Sequence, residues 1–463
     1  MPDLARPGAG KTSILTPAVL VCCSAFFLIT LDATIVNSAL YTIQTHWHSS
    51  VAAIQWIVDA YTVVLAALML STGVLADRLG AHRLLVAGLW LFMITSTVCG
   101  LAPSLGLLIA FRVLQGIGAA IMLPASLALL NLVVPDRAAH VRATSLWAAA
   151  GGVAVAAGPV LGGVLTSWIN WRTIFLINIP VCAVCLFAFR RTAFDRPRTT
   201  RRFDPYGQIL ATAALVALTG GVIELNRTLR LGIALLAVGL VVLIAFLIVE
   251  SRIPDAAVPT SLWRNRVFDS CAATGFALNF AYFGSVFVIG LLVQEMFGYS
   301  PALTGAVFIP LTIFITAANL LAGRLTARFG AFVPLLTGQL LEAAGFFVVG
   351  YGVYLHSIAV ILVGMLPIGI GAGTASPPMM STLMNSMPPS DSGLAAGALN
   401  CLRQIGTVLG VAVFGVLIAH SLGAGAVRSL VISGAILVLT ALGTAVLVPR
   451  KGSERIPAAA RAD

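Results

Sequence analysis

The chain has 463 residues, 59% of them hydrophobic and only 9% charged, with a mean hydropathy of +1.02. Soluble globular proteins carry roughly 25% charged residues, so the composition excludes a soluble domain and requires a polytopic membrane protein. The net charge of +11 does not point to nucleic acid, because the basic residues sit in short segments between apolar runs, without interleaved aromatics.

The apolar runs are continuous and helix-length, unlike the alternation of a transmembrane barrel. Six come first, at 14–39, 52–74, 82–102, 105–130, 141–167 and 173–189. The first has full spanning length and no small-residue cleavage site before a soluble domain, so it reads as a helix and not as a signal peptide. The Arg-rich stretch RRTAFDRPRTTRRFDP follows, then two runs at 205–224 and 229–250. A second set of six occupies 266–293, 303–325, 332–354, 358–384, 393–419 and 429–448.

The expected fold is therefore all-α, with 14 transmembrane helices in the order six, two, six. Its parts are a tail 1–13, a six-helix bundle 14–190, a basic connector 191–204 and an inserted helix pair 205–250. A loop 251–265, a second bundle 266–449 and a tail 450–463 complete it. With both termini cytoplasmic, 21 of the 27 Lys and Arg residues fall on the cytoplasmic side, as the positive-inside rule requires. Only Arg172, Arg227, Arg230 and Arg428 fall outside, while Arg112 and Arg403 lie within helices. An internal echo supports two related bundles: GVLADRLGAHRLL at 73–85 is similar to GRLTARFGAFVPL at 323–335. Two related bundles with a site between them are a transporter plan.

Charged residues inside apolar runs are costly and mark function by default. Asp32 in LDATIVNSAL, Asp59 in QWIVDAY and Arg112 in FRVLQG each lie about seven or eight residues from an outer helix end, roughly 10–12 Å deep. Their common depth predicts one polar cluster. Arg112 stays charged and can hold one carboxylate ionised, leaving the other, partly desolvated, as a candidate proton carrier. Two readings stay open: a site that takes protons from outside and releases them inside, or a static ion pair that packs the bundle.

Glu342, in GQLLEAAGF, has no evident partner in its own half; it either meets a cationic substrate or packs as a neutral group. Asp269, Glu224 and Glu295 sit near helix ends, where solvation is cheap. GGVAVAAGPVLGG at 151–163 places Gly158 and Pro159 inside a helix among small residues, predicting a hinge or a tight interface between halves. GIGAG at 369–373 lies in an apolar helix with no strand before it, so it reads as helix packing and not as a nucleotide fingerprint. No P-loop and no nucleophile–base constellation is present. Cys182 and Cys185 form a CxxC without a second pair. No enzyme, metal or cofactor is expected.

These motifs together resemble the fourteen-helix drug:proton antiporter branch of the major facilitator superfamily, over residues 14–449. LDATIVNSAL matches that branch's first-helix signature LDxTIVNVALP through Asp32 and Asn37. The loop motif G-x-x-x-D-R/K-x-G-R-R/K is matched by Gly73, Asp77, Arg78 and Gly80, with Ala81 and His82 in place of two basic residues and Arg83 just beyond. RVLQGIGAAIMLP resembles the fourth-helix motif through Arg112, Gln115 and Gly116. The GPxxGG end of the exporter motif is matched by Gly158, Pro159, Gly162 and Gly163, while Ser145 and Ala154 replace its upstream glycines. WRTIFLINIP at 171–180 is also typical of the branch.

The resemblance implies an exporter of the bacterial cytoplasmic membrane that exchanges a lipophilic drug or antibiotic for protons by alternating access. Asp32, Asp59 and Arg112 are the expected proton-coupling residues. Asp32, Asn37, Gln115 and Glu342 are expected to meet substrate. The cavity walls are expected from the first, second, fourth and fifth helices of each bundle, with Glu342 contributed by the third helix of the second. Gly73, Asp77, Arg78, Gly80, Arg83, Gly158, Pro159, Gly162 and Gly163 are expected to govern the conformational switch. The expected partners are the substrate, protons and the lipid bilayer, with no nucleic acid, and the chain is expected to be a monomer. The alternatives are a symporter or metabolite exporter of the same fold, told apart by transport direction, and a non-transporting receptor or scaffold, which has no need of buried acids.

Overall fold

The computed structural model describes residues 16–134, 136–189, 205–225, 228–250, 252, 262, 265–387 and 392–448. The tails 1–13 and 450–463, the connector 191–204 and most of the loop 251–265 lie outside the described residues. Among the described residues fourteen helical units follow one another. In the first bundle they are α1 (Pro17–Ile35), α2 (Val51–Leu79), α3 (Ala81–Leu101), α4 (Leu105–Val133), α5 (Arg137–Trp168) and α6 (Thr173–Phe189). The inserted pair is α7 (Pro205–Glu224) and α8 (Leu229–Glu250). The second bundle comprises α9 (Arg266–Phe297), α10 (Pro301–Phe329), α11 (Phe332–Tyr354), α12 (Ile358–Ser386), α13 (Ser392–Ile418) and α14 (Leu422–Leu447). Among the described residues twelve helices are long and apolar enough to cross a membrane, and the bent α5 makes thirteen; α6 is a shorter apolar helix.

Several helices run past the apolar runs that announce them. α2 continues to Leu79, α9 to Phe297, and α5 and α14 begin at Arg137 and Leu422, because a helix stops where its backbone is capped and not where its side chains turn polar. Ser50, Ser104, Asp136 and Ser300 accept hydrogen bonds from the backbone N–H three residues on, closing the N-termini of α2, α4, α5 and α10. Gly80 and Gly330 end α2 and α10 with φ of 97° and 78°. A side chain is strained at such angles, which explains why both copies of the internal echo keep glycine there.

Prolines set the breaks. Pro159 cannot donate to the Val155 carbonyl, and α5 bends by 43° where Val155 gives way to Ala157. Pro180 and Pro310 likewise restart α6 at Asn178 and α10 at Ile309. Pro124 frees the Ala120 carbonyl of α4, and the Thr72 hydroxyl of α2 donates to it at 2.6 Å. α1 breaks without proline, into a 3-10 turn at Val36–Ser38 followed by a short helix, Leu40–Trp47. The first run therefore reaches farther than residue 39.

The end of the bundle at which α1 begins is the proximal end, and the opposite one is the distal end. The two halves close against each other distally. Gln294 of α9 donates to the Ser38 carbonyl at 3.1 Å, and Gln55 of α2 donates to the Val411 and Ala412 carbonyls of α13 at 3.0 and 3.2 Å. The Ser167 hydroxyl of α5 accepts from the Ala302 N–H of α10 at 2.8 Å. One apolar core joins Leu31, Ile35, Ile43, Ile54 and Ile57 to α9 and α10. In the proximal part of the first half, α1 from Ala18 to Ile29 forms a separate core with α2, α3 and the Ala119, Met122 and Leu129 side chains of α4.

Candidate functional site

Asp32 lies on α1, one turn before the 3-10 break, and is fully buried. Its Oδ2 is ion-paired with Nη1 of Arg112 from α4. Its Oδ1 accepts from Nε2 of Gln115 and from Nδ2 of Asn178, both at 3.0 Å. Arg112, 1% exposed, also donates from Nε to the Ile57 carbonyl of α2 at 2.8 Å and from Nη1 to Gln115 Oε1 at 2.9 Å. The guanidinium lies 4.3 Å from the Tyr61 ring centroid and 5.8 Å from that of Phe175, a favourable placement for a desolvated cation. Ser96 of α3 receives hydrogen bonds from Gln115 at 2.7 Å and Asn178 at 3.3 Å, and the Tyr61 hydroxyl donates to the Ile29 carbonyl at 3.0 Å.

Five helices of one half thus converge on a neutral ion pair in which both carboxylate oxygens and the Nε and Nη1 nitrogens are hydrogen-bonded. The i, i+3 spacing of Arg112 and Gln115 puts both side chains on one face of α4. The break at Pro180 turns Asn178 inward. No role is expected from the sequence for Ser96, Tyr61, Phe175 or Asn178; Asn178 is a lone amide in an apolar run, whereas Ser96 lies between Thr95 and Thr97 and Phe175 is apolar.

Asp59 does not join this cluster, contrary to the expectation from depth. Ile57, Tyr61 and Val64 of α2 face α4, whereas Asp59 points nearly the opposite way. It is fully buried, and among the described residues neither of its oxygens has a hydrogen-bond partner. Glu342 is in the same position: fully buried on α11, with both oxygens unpartnered among the described residues.

The two halves explain what is unusual about Glu342. In the first half the backbone of Phe92 packs on Gly118 of α4, at 3.1 Å from where its Cβ would stand; in the second half Glu342 packs on Gly371 of α12 in the same way. A phenylalanine fills this position in one bundle, so packing alone does not call for an acid in the other.

Asn37 sits in the 3-10 turn, 2% exposed; its Nδ2 donates to the Thr34 carbonyl at 3.1 Å and its Oδ1 is unpartnered among the described residues. The glycines of α5 divide into two sets. Side chains at Gly158 and Gly162 would collide with Thr34 and Ile35 of α1, inside the first half. A side chain at Gly163 would collide with the Pro301 carbonyl of α10, in the other half, and Gly305 of α10 closes on Pro159. The interface between halves therefore involves Pro159 and Gly163, while Gly158 and Gly162 serve α1. At the proximal end Gly73 faces Pro124, Gly80 forms the turn, and Arg78 and Arg83 are exposed. The side chain of Asp77 lies outside the described residues. Among the described residues no group of three or more His, Cys, Asp or Glu side chains could hold a metal ion.

The family model described as Major Facilitator Superfamily matches residues 22–411. The methylenomycin A resistance protein of Streptomyces coelicolor is 33% identical over 420 residues, covering 90% of this chain and 88% of that protein. The multidrug resistance protein Stp of Mycobacterium tuberculosis is 32% identical over 421 residues, covering 89% and 77%. Among solved structures, a POT family transporter in complex with 5-aminolevulinic acid shares the fold with a TM-score of 0.71 at 14% identity, over 94% of this chain and 95% of that one.

Proposed function

The chain belongs to the Major Facilitator Superfamily, and from that premise we propose that it exports lipophilic drugs or antibiotics by alternating access, in exchange for protons. It is a transporter and not an enzyme, and its relatives at 32–33% identity carry resistance names. The observation that carries the reading is the fully buried Asp32–Arg112 pair, a charged group retained inside a membrane bundle at considerable cost. In the proposed cycle, a proton reaching Asp32 removes the charge that holds Arg112, the pair loosens, and the helices it ties together are free to rearrange. Substrate from the cytoplasm or inner leaflet meets Asp32, Asn37 and Gln115 in the first half and Glu342 in the second.

On this reading the distal end is the outer one, both termini are cytoplasmic, and the short α6 is the span that brings the total to fourteen. The protein works in the bacterial cytoplasmic membrane as a monomer, with no cofactor beyond the proton gradient. The closed distal contacts make this an outward-closed state. Pro159 and Gly163 belong to the closing surface, with Gly158 and Gly162 holding α1 against it. The loop from Gly73 through Asp77, Arg78 and Gly80 to Arg83 latches the proximal end.

Purified protein in liposomes with an imposed proton gradient and a pH-sensitive dye tests the proposal. Substrate-dependent proton flux is expected with at least one member of a panel of lipophilic cations and neutral antibiotics. Substrate export without proton movement would remove the coupling, and substrate moving in the same direction as protons would make the protein a symporter. Glu342 has its own test. Glu342→Gln is expected to raise the KM for cationic substrates about tenfold, equivalent to one lost contact of about 1.4 kcal/mol, and to leave neutral substrates unchanged. Equal changes for both classes would take Glu342 out of the substrate site.

A further inference from the structure

α2 has two opposite buried faces, and the second carries an acid that the Asp32 cluster does not use. On that face Gln55 bonds α13, and Val63, Ala66 and Ala67 pack with Leu215 of the inserted helix α7 and Val408 of α13. Asp59 lies one turn from both Gln55 and Val63, so it points with them. On α7, Thr219 lies one turn beyond Leu215 and one turn before Ile223. α7 runs antiparallel to α2: Gln208 bonds the Ala67 carbonyl, Leu215 packs with Val63, Gly220 approaches Trp56, and Ile223 shares a cavity with Gln55. This ladder sets Thr219 opposite Asp59. Both residues are fully buried, and among the described residues the two Asp59 oxygens and the Thr219 hydroxyl all lack a hydrogen-bond partner. Orphaned polar groups at such burial are rare and call for an explanation.

One turn distal to this pair lies a cavity of about 180 Å³, lined by Ser50, Val51, Gln55, Ile223, Gly415 and His420. Ser50 and His420 are exposed, so it opens at the distal surface. Its floor, Gln55 and Ile223, is one helical pitch of about 5.4 Å from Asp59 and Thr219. A cavity of that size and partly polar lining holds several waters.

We infer that Asp59, Thr219 and the cavity above them form a proton-access site at the seam of α2, α7 and α13, and that the inserted helix is a working part of the coupling machinery. The inference rests on the reading of the chain as proton-driven. A hydronium ion in the cavity gives its proton to the Asp59 carboxylate and leaves water behind; when the proximal side opens, the carboxylic acid returns the proton to water there. The Thr219 hydroxyl, unpartnered in this structure, suits both states, since a hydroxyl can donate to a carboxylate and accept from a carboxylic acid. Few other charges bear on the site. α7 has no charged residue between Pro205 and Glu224, α13 has only Arg403, which bonds Asn279 and Asn400, and His420 stands at the cavity rim. On α8 the span between Arg230 and Glu250 is uncharged, and Arg112 with Tyr61 lies on the far face of α2.

The test is the pH–rate profile of proton-driven export by the full chain in liposomes. Thr219→Val replaces the hydroxyl by a methyl of similar size, so no hydroxyl is left to turn toward the carboxylate as a donor when the site is charged. The profile is expected to move about one pH unit toward alkaline, with the maximal rate close to wild type. Thr219→Ser should return it, and Thr219→Ala gives the same readout if Val packs badly. In Asp59→Asn, the Thr219 change should add no shift. A Thr219→Val profile that superimposes on wild type, while Asp59→Asn alters it, overturns this inference alone. Coupling that is intact in Asp59→Asn overturns the site but leaves proton-driven export standing. A wild type that exports without proton flux overturns both.

Discussion

Asp32→Asn is expected to abolish proton-coupled flux while leaving folded protein in the membrane. Asparagine is nearly isosteric with aspartate, and its oxygen can still accept from Gln115 and Asn178, which bond Asp32 Oδ1 at 3.0 Å. It cannot be ionised and protonated in turn. The variant also leaves Arg112 as an uncompensated charge at 1% exposure, and removing one partner of a buried pair costs about 3–5 kcal/mol. The Ile57 carbonyl, Gln115 and the Tyr61 ring remain to hold the guanidinium, so a lowered thermal midpoint is expected rather than loss of the fold. Flux and thermal unfolding should be measured together, with Asp32→Asn/Arg112→Gln alongside. That double variant removes both charges and should regain stability. If the pair is a static packing element, transport returns with stability. If Asp32 carries the proton, transport stays absent.

Gly163→Val is expected to reduce export by roughly 10–100-fold with little change in thermal stability. Gly163 lies against Pro301 of the other half where the two halves close distally, so the added side chain works against closure and not against either bundle. Overpacking of this kind costs about 1–3 kcal/mol, which shifts a two-state equilibrium by one to two orders of magnitude. Gln294, 4% exposed and bonded to the Ser38 carbonyl across the same end, reports the shift. Gln294→Cys should be shielded from an impermeant maleimide alone and react readily once Gly163→Val is added. Gly162→Val is the contrast. It collides with Ile35 inside one half and should lower stability without exposing position 294. Wild-type export by Gly163→Val would remove the α5–α10 contact from the cycle.

Much of this protein is legible along the chain. The lengths of the apolar runs predict the helices, and the structure has a helix at each of them. Depth is legible as well, because a helix rises by a constant amount per residue; Asp32 and Arg112 are expected at one level, and they meet. Where the runs end is less so, since α2, α5, α9 and α14 extend to their caps beyond the apolar stretch.

What the chain does not reveal is direction around each helix. A soluble helix announces its buried face by an apolar stripe, but in lipid both faces are apolar and the stripe is lost. Asp59 and Arg112 share a depth, yet they lie on opposite sides of α2, and only the packing of α4 on one side and of α7 and α13 on the other separates them. For the same reason Asn178, and Ser96 between Thr95 and Thr97, become partners of the Asp32 cluster only in three dimensions. Composition and periodicity determine which segments enter the membrane and how deep each charge lies; the tertiary structure decides which charges face one another, because that depends on helix rotation, which an all-apolar surface leaves unmarked.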